Sequence, residues 1–410
     1  MKQFFIKKEC FGIFFLLFVL LFSAVNVVVN NEMIMDLAEE FCEMEDLDDL
    51  KEWIASVEAD TTEDILGRME FVETYGFLQK VMHKQEFNSF EFVQDGDNML
   101  YYGSVMEKET DDLTAYAQNV RRLNEYVESK GAKLLVIIPP SKILPGVSNV
   151  NLEWPLNNPN NRSDKLMILL QQYGVEAIDL RASLIKSGAS IEELFFKTDH
   201  HWTPLAAFYG TKEVVKQFEE RFGVSLDPDG YYTNLGNYHS YTFEQVYLGS
   251  TGRNTGVVYS GLDDYTLLWP ECDMEFTWIN YEEDDQDEQD GTITEALLNA
   301  SAVMEIEDLY DSNTNRLYMD QVVDKDRIVN NSRPDLPKLT VLRDSYFTPM
   351  AFFLAPMCSE IDMVWTRNTA DIDLEDFIRE SELEYVILEV YPYNLDEQSF
   401  DFFHGEVEMP

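Results

Sequence analysis

Lys133-Leu-Leu-Val-Ile-Ile138, stopped by Pro139-Pro140, constrains the fold more than any other stretch of the chain. A strand that is apolar on both sides has to be covered on both faces. Thr110–Lys130 precedes it and reads as a helix of about five turns, ended by Gly131. Ser163–Tyr173 then reads as helix and Val175–Leu180 as strand. The alternation resumes later: strand Lys338–Leu342, helix Pro349–Met357, strand Asp362–Trp365, helix Leu374–Ser381 and strand Tyr385–Val390. This order predicts an α/β fold, a mostly parallel sheet flanked by helices. Sites in such sheets gather beyond the carboxyl ends of the strands, where the chain order crosses over. Pro139–Lys142, Asp199–Trp202 and Ser345 are expected at such ends.

The formal net charge is −47 over 410 residues, which disfavours nucleic acid and anionic lipid heads as partners. Basic residues are few, and Lys142, Lys197, Arg343 and Arg367 stand beside the sequence motifs considered below. The first thirty residues are different material. Lys2, Lys7 and Lys8 precede Phe11–Val29, nineteen residues without a charge, long enough to span a hydrocarbon core. Lysines on the N-terminal side predict a cytoplasmic N-terminus and an extracytoplasmic body. No small-x-small cleavage site follows, so the segment reads as a retained single-pass anchor, with secretion after signal cleavage as the alternative. Three lysines against Glu9 give this segment +2, leaving −49 on the body.

Three further regions follow from texture. Residues 31–95 read as an acidic helical stalk or packing arm, with two short strands beginning near Phe87. Residues 96–410 read as the α/β domain, with an inserted region of strands and loops at about 225–330. Within it, Glu282–Asp290 is an acidic run taken as a solvated loop. It lacks the alternating oxygen ligands, the glycine and the closing glutamate of a calcium loop. Pro204–Phe222 reads as a helix with proline in its first turn. Cys10, Cys42, Cys272 and Cys358 are too scattered for a disulfide framework or a metal knuckle. No cofactor is called for, and no metal site is expected.

The chemistry centres on Lys197-Thr-Asp-His-His-Trp-Thr203, which holds two of the five histidines. Asp199 and His201 stand two apart, so an extended segment projects them to one face. A carboxylate there orients an imidazole and stabilises its cation, as in a nucleophilic triad. Leu339-Thr-Val-Leu-Arg-Asp-Ser345 supplies a serine at the end of an apolar strand. Backbone N–H groups of the Ser345–Phe347 turn are candidate oxyanion donors. The plain alternative is a structural His200-His201 pair, with Asp344-Ser345 merely capping the next helix.

Thr198-Asp-His-His-Trp-Thr203 resembles the signature of the DHHW proteins, relatives of the alginate O-acetylation proteins in the SGNH-hydrolase superfamily. Further similarities run in the same order: Glu73–Gln79, Val136-Ile-Ile-Pro-Pro-Ser-Lys142, Arg343-Asp-Ser-Tyr346 with Ala355-Pro356, Arg367, and Tyr393-Asn-Leu395. The resemblance covers roughly residues 70–400. It implies a flavodoxin-like SGNH fold with permuted motif order, the Asp-x-His element preceding the serine. Carried over, Ser345 is the nucleophile, His201 the general base and Asp199 the orienting acid, while His200 fills the variable position. Lys142, Arg343, Tyr346, Arg367 and Asn394 are candidates for binding substrate or the oxyanion. Lys142 and Asn394 equally suit a strand-end lysine and a turn asparagine. The implied activity is acetyl transfer through a serine ester onto a cell-surface or secreted polysaccharide. The implied partner is a membrane-bound O-acyltransferase that delivers acetyl. A carbohydrate esterase using the same triad, and a non-catalytic scaffold of an acetylation or export complex, are the alternatives.

Overall fold

The computed structural model describes residues 2–44, 50–51, 53–54, 56–57, 65–103, 112–151, 154, 158–282, 285–304, 306, 308–310, 317–319, 323–366 and 373–395. They form two compact units, Met1–Leu78 and Gln79–Pro410. In the first, a helix spans Lys2–Val29 and a second spans Asn31–Glu43. Cys10–Val29 is long and apolar enough to cross a membrane, with mean hydropathy 2.7. Trp53 Nε1 donates to the Leu37 carbonyl at 2.7 Å, and its ring packs 4.9 Å from that of Phe41.

The second unit opens with a small antiparallel sheet, β1 (Glu86–Phe87), β2 (Phe92–Gln94) and β3 (Leu100–Tyr102). Residues 79–95, read from sequence as part of the arm, thus lie in this unit. The main sheet takes β4 (Lys133–Ile138) and β5 (Ala177–Asp179). A ribbon follows, β6 (Tyr238–Tyr247) with β7 (Asp263–Pro270), and then β8 (Glu275–Glu282), β9 (Asp285–Thr292) and β10 (Lys325–Asn330). β11 (Lys338–Arg343), β12 (Glu360–Trp365) and β13 (Tyr385–Glu389) complete the set. The eight-stranded sheet runs β5-β4-β13-β11-β12-β10-β8-β9. Its first five strands are parallel and the last three join antiparallel.

Alternate residues of the central strands enter opposite cores, as period two requires. Leu135, Ile137, Leu339, Val341 and Ile387 face one core, whereas Leu134, Val136, Ile138, Leu342, Val386 and Leu388 face the other. Helices Thr114–Ser129, Asn160–Gln172 and Leu374–Glu380 cover the latter. Helices Pro204–Phe222 and Phe347–Leu354 cover the former. The first of these two starts where predicted because the Thr203 hydroxyl accepts from Ala206 N–H at 3.3 Å and Pro204 presets the first turn. It ends at Gly223, whose φ of 70° suits the left-handed cap.

Within 225–330, β8, β9 and β10 extend the main sheet. One expectation for this region is corrected. The acidic run is not a loop in its described part: Asp285–Thr292 is the edge strand β9. Charge is compatible with that place, because an edge strand studded with exposed carboxylates resists pairing with another chain. Asp287, Glu288 and Asp290 are all exposed.

Candidate active site

Ser345 follows β11, a central strand of the sheet, and precedes helix Phe347–Leu354. Its tight turn is built by Asp344. One Asp344 oxygen accepts from Tyr346 N–H at 2.9 Å; the other accepts from Tyr391 N–H at 2.9 Å and Asn394 Nδ2 at 3.2 Å. The Asp344 N–H donates to buried Glu389 at 2.8 Å. Burial, reinforced by Asp344, drives the Glu389 carboxyl well above its ordinary range.

The Asp-His-His-Trp loop lies between helix Ile191–Leu194 and helix Pro204–Phe222, not at the end of a sheet strand as expected. Phe195 and Trp202 bridge its base, and residues 198–201 bend. The bend, rather than an extended segment, brings Asp199 and His201 together. His201 Nδ1 lies 3.0 Å from Asp199 Oδ2, and its Nε2 lies 2.6 Å from Ser345 Oγ. The three residues proposed from sequence therefore form one continuous relay. Trp202 Nε1 donates to the Tyr346 carbonyl at 3.2 Å, and the Tyr346 hydroxyl donates to the His200 carbonyl. The two motifs are thus tied through main chain as well as through the relay.

Asp199 is buried, which alone would raise its pKa. The imidazoles of His201 and His200 outweigh that and hold its carboxyl well below the usual range. His200 goes down, chiefly through burial and then through His201. Its Nδ1 lies 2.9 Å from Asp199 Oδ1 and its ring 3.9 Å from that of His201. Asp199, His200 and His201 are close enough to share an ion. The Asp199 oxygens and the inner ring nitrogens are nevertheless already bonded to one another, and the outer nitrogen of His201 faces Ser345.

The other candidates fall into different places. Lys142 is buried, and its ammonium points at the carbonyls of Leu100, Phe196, Lys197 and Asp199 at 2.6–3.2 Å. Burial pushes it down to about 7 against the pull of Asp263, Asp199 and Asp95. It braces the loop from beneath, which corrects its candidacy as a substrate ligand. We expect Lys142→Met to destabilise the protein by ~2–4 kcal/mol, because buried carbonyls lose their donors. Denaturant unfolding measures this, and an unchanged midpoint would refute it. Arg343 is buried in an ion pair with Asp326 at 2.9 Å, which occupies its guanidinium away from the cavity lining. Tyr346 is buried and stacked on Tyr391 at 4.3 Å, so its ring supports the loop. Asn394 holds Asp344 and fits the turn-asparagine alternative. Arg367 lies outside the described residues. Of the turn's N–H groups, Tyr346 donates to Asp344 Oδ1 and Phe347 to the Asp344 carbonyl. That leaves Ser345 N–H as the candidate oxyanion donor.

Sequence reasoning missed Tyr247 and Ser250, whose hydroxyls both donate to Asp199. It also missed Asp263, which accepts from Lys197 N–H, Thr198 N–H and the Thr198 hydroxyl at 2.6–2.8 Å. All three lie in the 225–330 region, where nothing in the local pattern marks them. A cavity of about 320 Å³ opens over the relay, lined by His200, His201, Trp202, Tyr247, Ser345 and Trp365 among others.

Residues 93–246 match the family described as SGNH hydrolase-like domain, acetyltransferase AlgX. The match contains Asp199 and His201 and stops short of Ser345. The chain is 24% identical over 118 residues to the Probable alginate O-acetylase AlgJ of Pseudomonas putida. That alignment covers 29% of this chain and 30% of the relative's length. Among solved structures, a DHHW family protein from Eubacterium siraeum superposes with a TM-score of 0.55 and 19% identity, over 75% of this chain and 92% of that one. Bacillus cereus PatB1 does so with a TM-score of 0.57 and 16% identity, over 76% and 97%. Residues 93–246 are therefore similar to an SGNH hydrolase-like domain, and the chain shares its fold with the DHHW family protein and PatB1.

Proposed function

We propose that this chain is an extracytoplasmic O-acetyltransferase that moves acetyl through Ser345 onto hydroxyls of a cell-surface or secreted polysaccharide. The observation that carries the reading is His201, bonded to Asp199 through one nitrogen and to Ser345 through the other. Ser345 Oγ attacks the acyl carbonyl carbon while His201 Nε2 takes its proton. Collapse of the tetrahedral intermediate expels the donor's leaving group, which takes that proton, and leaves an acetyl ester on Ser345. A sugar hydroxyl then attacks the ester, giving its proton to His201. Ser345 Oγ departs and is reprotonated. The similarity to proteins named for acetyl transfer supports acetyl as the group moved.

The helix Cys10–Val29 suits a membrane anchor, with the body outside and a membrane-bound O-acyltransferase as the donor. A scaffold role expects Ser345, His201 and Asp199 beyond bonding reach, and separations of 2.6 and 3.0 Å weigh against it. Hydrolysis uses the same residues with water as acceptor.

The test is incubation of the full chain in detergent with p-nitrophenyl acetate and neutral or amino-sugar oligosaccharides, followed by mass spectrometry of the sugars. Acetylated sugar is the expected product. Acetate alone would replace transfer with esterase chemistry. Fully acetylated polymer in cells whose only copy carries Ser345→Ala would sink the catalytic reading.

A further inference from the structure

Tyr247-Leu-Gly-Ser-Thr-Gly252 wraps round Asp199, the carboxylate that orients His201. Tyr247 ends β6 and pairs with Asp263 of β7, the residue that holds Thr198. The register shifts between Phe243 and Tyr247, with Gln245 at a φ of 52°. Such a bulge re-aims the side chain that follows it. The Tyr247 hydroxyl donates to Asp199 Oδ2, and Ser250 Oγ donates to Asp199 Oδ1 at 2.9 Å. Ser250 Oγ also lies 3.1 Å from His200 Nδ1 and 3.2 Å from the Tyr102 hydroxyl.

The glycines follow the same contour. A Cβ on Gly249 would overlap Asp199 Cβ and stand 2.6 Å from its Cγ and 2.7 Å from the Thr198 carbonyl. A Cβ on Gly252 would stand 2.8 Å from Thr198 Cβ. Their N–H groups instead bond Thr198, Gly249 to its hydroxyl at 2.9 Å and Gly252 to its carbonyl at 2.8 Å.

Two imidazoles compete for this one carboxylate, because the side chains of His200 and His201 both reach it. The terminal torsion of an aspartate is broad, so the carboxylate does not choose between them unaided. We propose that residues 247–252 are a positioning cradle for Asp199. Ser250 and Tyr247 fix its rotation so that one oxygen serves His201, and Gly249 is obligatory for the fit. The kinetic arm of this proposal rests on the acyl-transfer reading; the spectroscopic arm does not.

The experiment compares the full chain in detergent with Tyr247→Phe, Ser250→Ala, Ser250→Thr and Gly249→Ala. Turnover of p-nitrophenyl acetate is read beside the downfield Nδ1–H proton resonance of His201, assigned by its loss in Asp199→Asn. Tyr247→Phe and Ser250→Ala are expected to lower kcat about ten-fold each with KM unchanged, and to move or broaden the resonance. Ser250→Thr, which keeps the hydroxyl, should recover most of the loss. Gly249→Ala should cost more than about a hundred-fold with the circular dichroism spectrum retained. Wild-type kcat and an unmoved resonance in both Tyr247→Phe and Ser250→Ala would overturn the cradle. A wild-type chain inert toward the ester, whose resonance still moves in those variants, would sink the acyl-transfer reading and leave the cradle standing.

Discussion

Ser345→Ala is expected to lower ester turnover by at least about a thousand-fold and to abolish the acetyl adduct on the protein. Ser345 Oγ lies 2.6 Å from His201 Nε2 and lines the cavity, so its removal leaves the base with nothing to deprotonate. The fold should survive. The turn around Ser345 is held by Asp344, Tyr391 and Asn394, none of which uses the serine side chain. His201→Ala should lose about as much, and the double variant no more than either alone, because the residues of a relay act as a unit. Stopped-flow release of p-nitrophenol and intact-mass analysis check both. A burst persisting in Ser345→Ala would displace the serine from its role.

Asp199→Asn should lose about a thousand- to ten-thousand-fold in kcat while keeping its fold. An amide can donate to His201 Nδ1, which selects the tautomer whose Nε2 already carries a proton and cannot take one from Ser345. Stability should follow with a defined sign. The Asp199 carboxyl is held well below its ordinary value, against its own burial, by His201 and His200. Its contribution is complete above the unfolded value of about 4 and is lost as pH falls through the folded one. The gap in melting temperature between wild type and Asp199→Asn should therefore narrow as pH falls below about 4. A gap that holds steady down through pH 3 would contradict the assigned shift.

What was legible in the sequence is what local rules write. Continuous apolar runs gave the central strands, and Thr203, Pro204 and Gly223 bounded a long helix, because strands and caps are decided within a few residues. Asp199, His201 and Ser345 were legible because they sit in short distinctive stretches. Lys142 was misread. Its neighbours in space are the carbonyls of Phe196, Lys197 and Asp199, more than fifty residues away, and no pattern around Pro139-Pro140 announces them. Tyr247 and Ser250 were missed for the same reason: their partner lies about fifty residues upstream. The acidic strand β9 was read as loop because its composition opposes strand propensity; pairing with β8 along its length overrides that preference.

The strand order also governs when reactivity can appear. β11, which delivers Ser345, is flanked by β13 and β12, both made after it. A chain emerging from its N-terminus holds the imidazole and its acid well before the serine, and the serine has no fixed place until the two later strands have docked. Such non-local pairing is the slow part of assembly. On the proposed acyl-transfer reading, Ser345 is thus armed last, by completion of the sheet, and an unfinished chain offers only a half-built site.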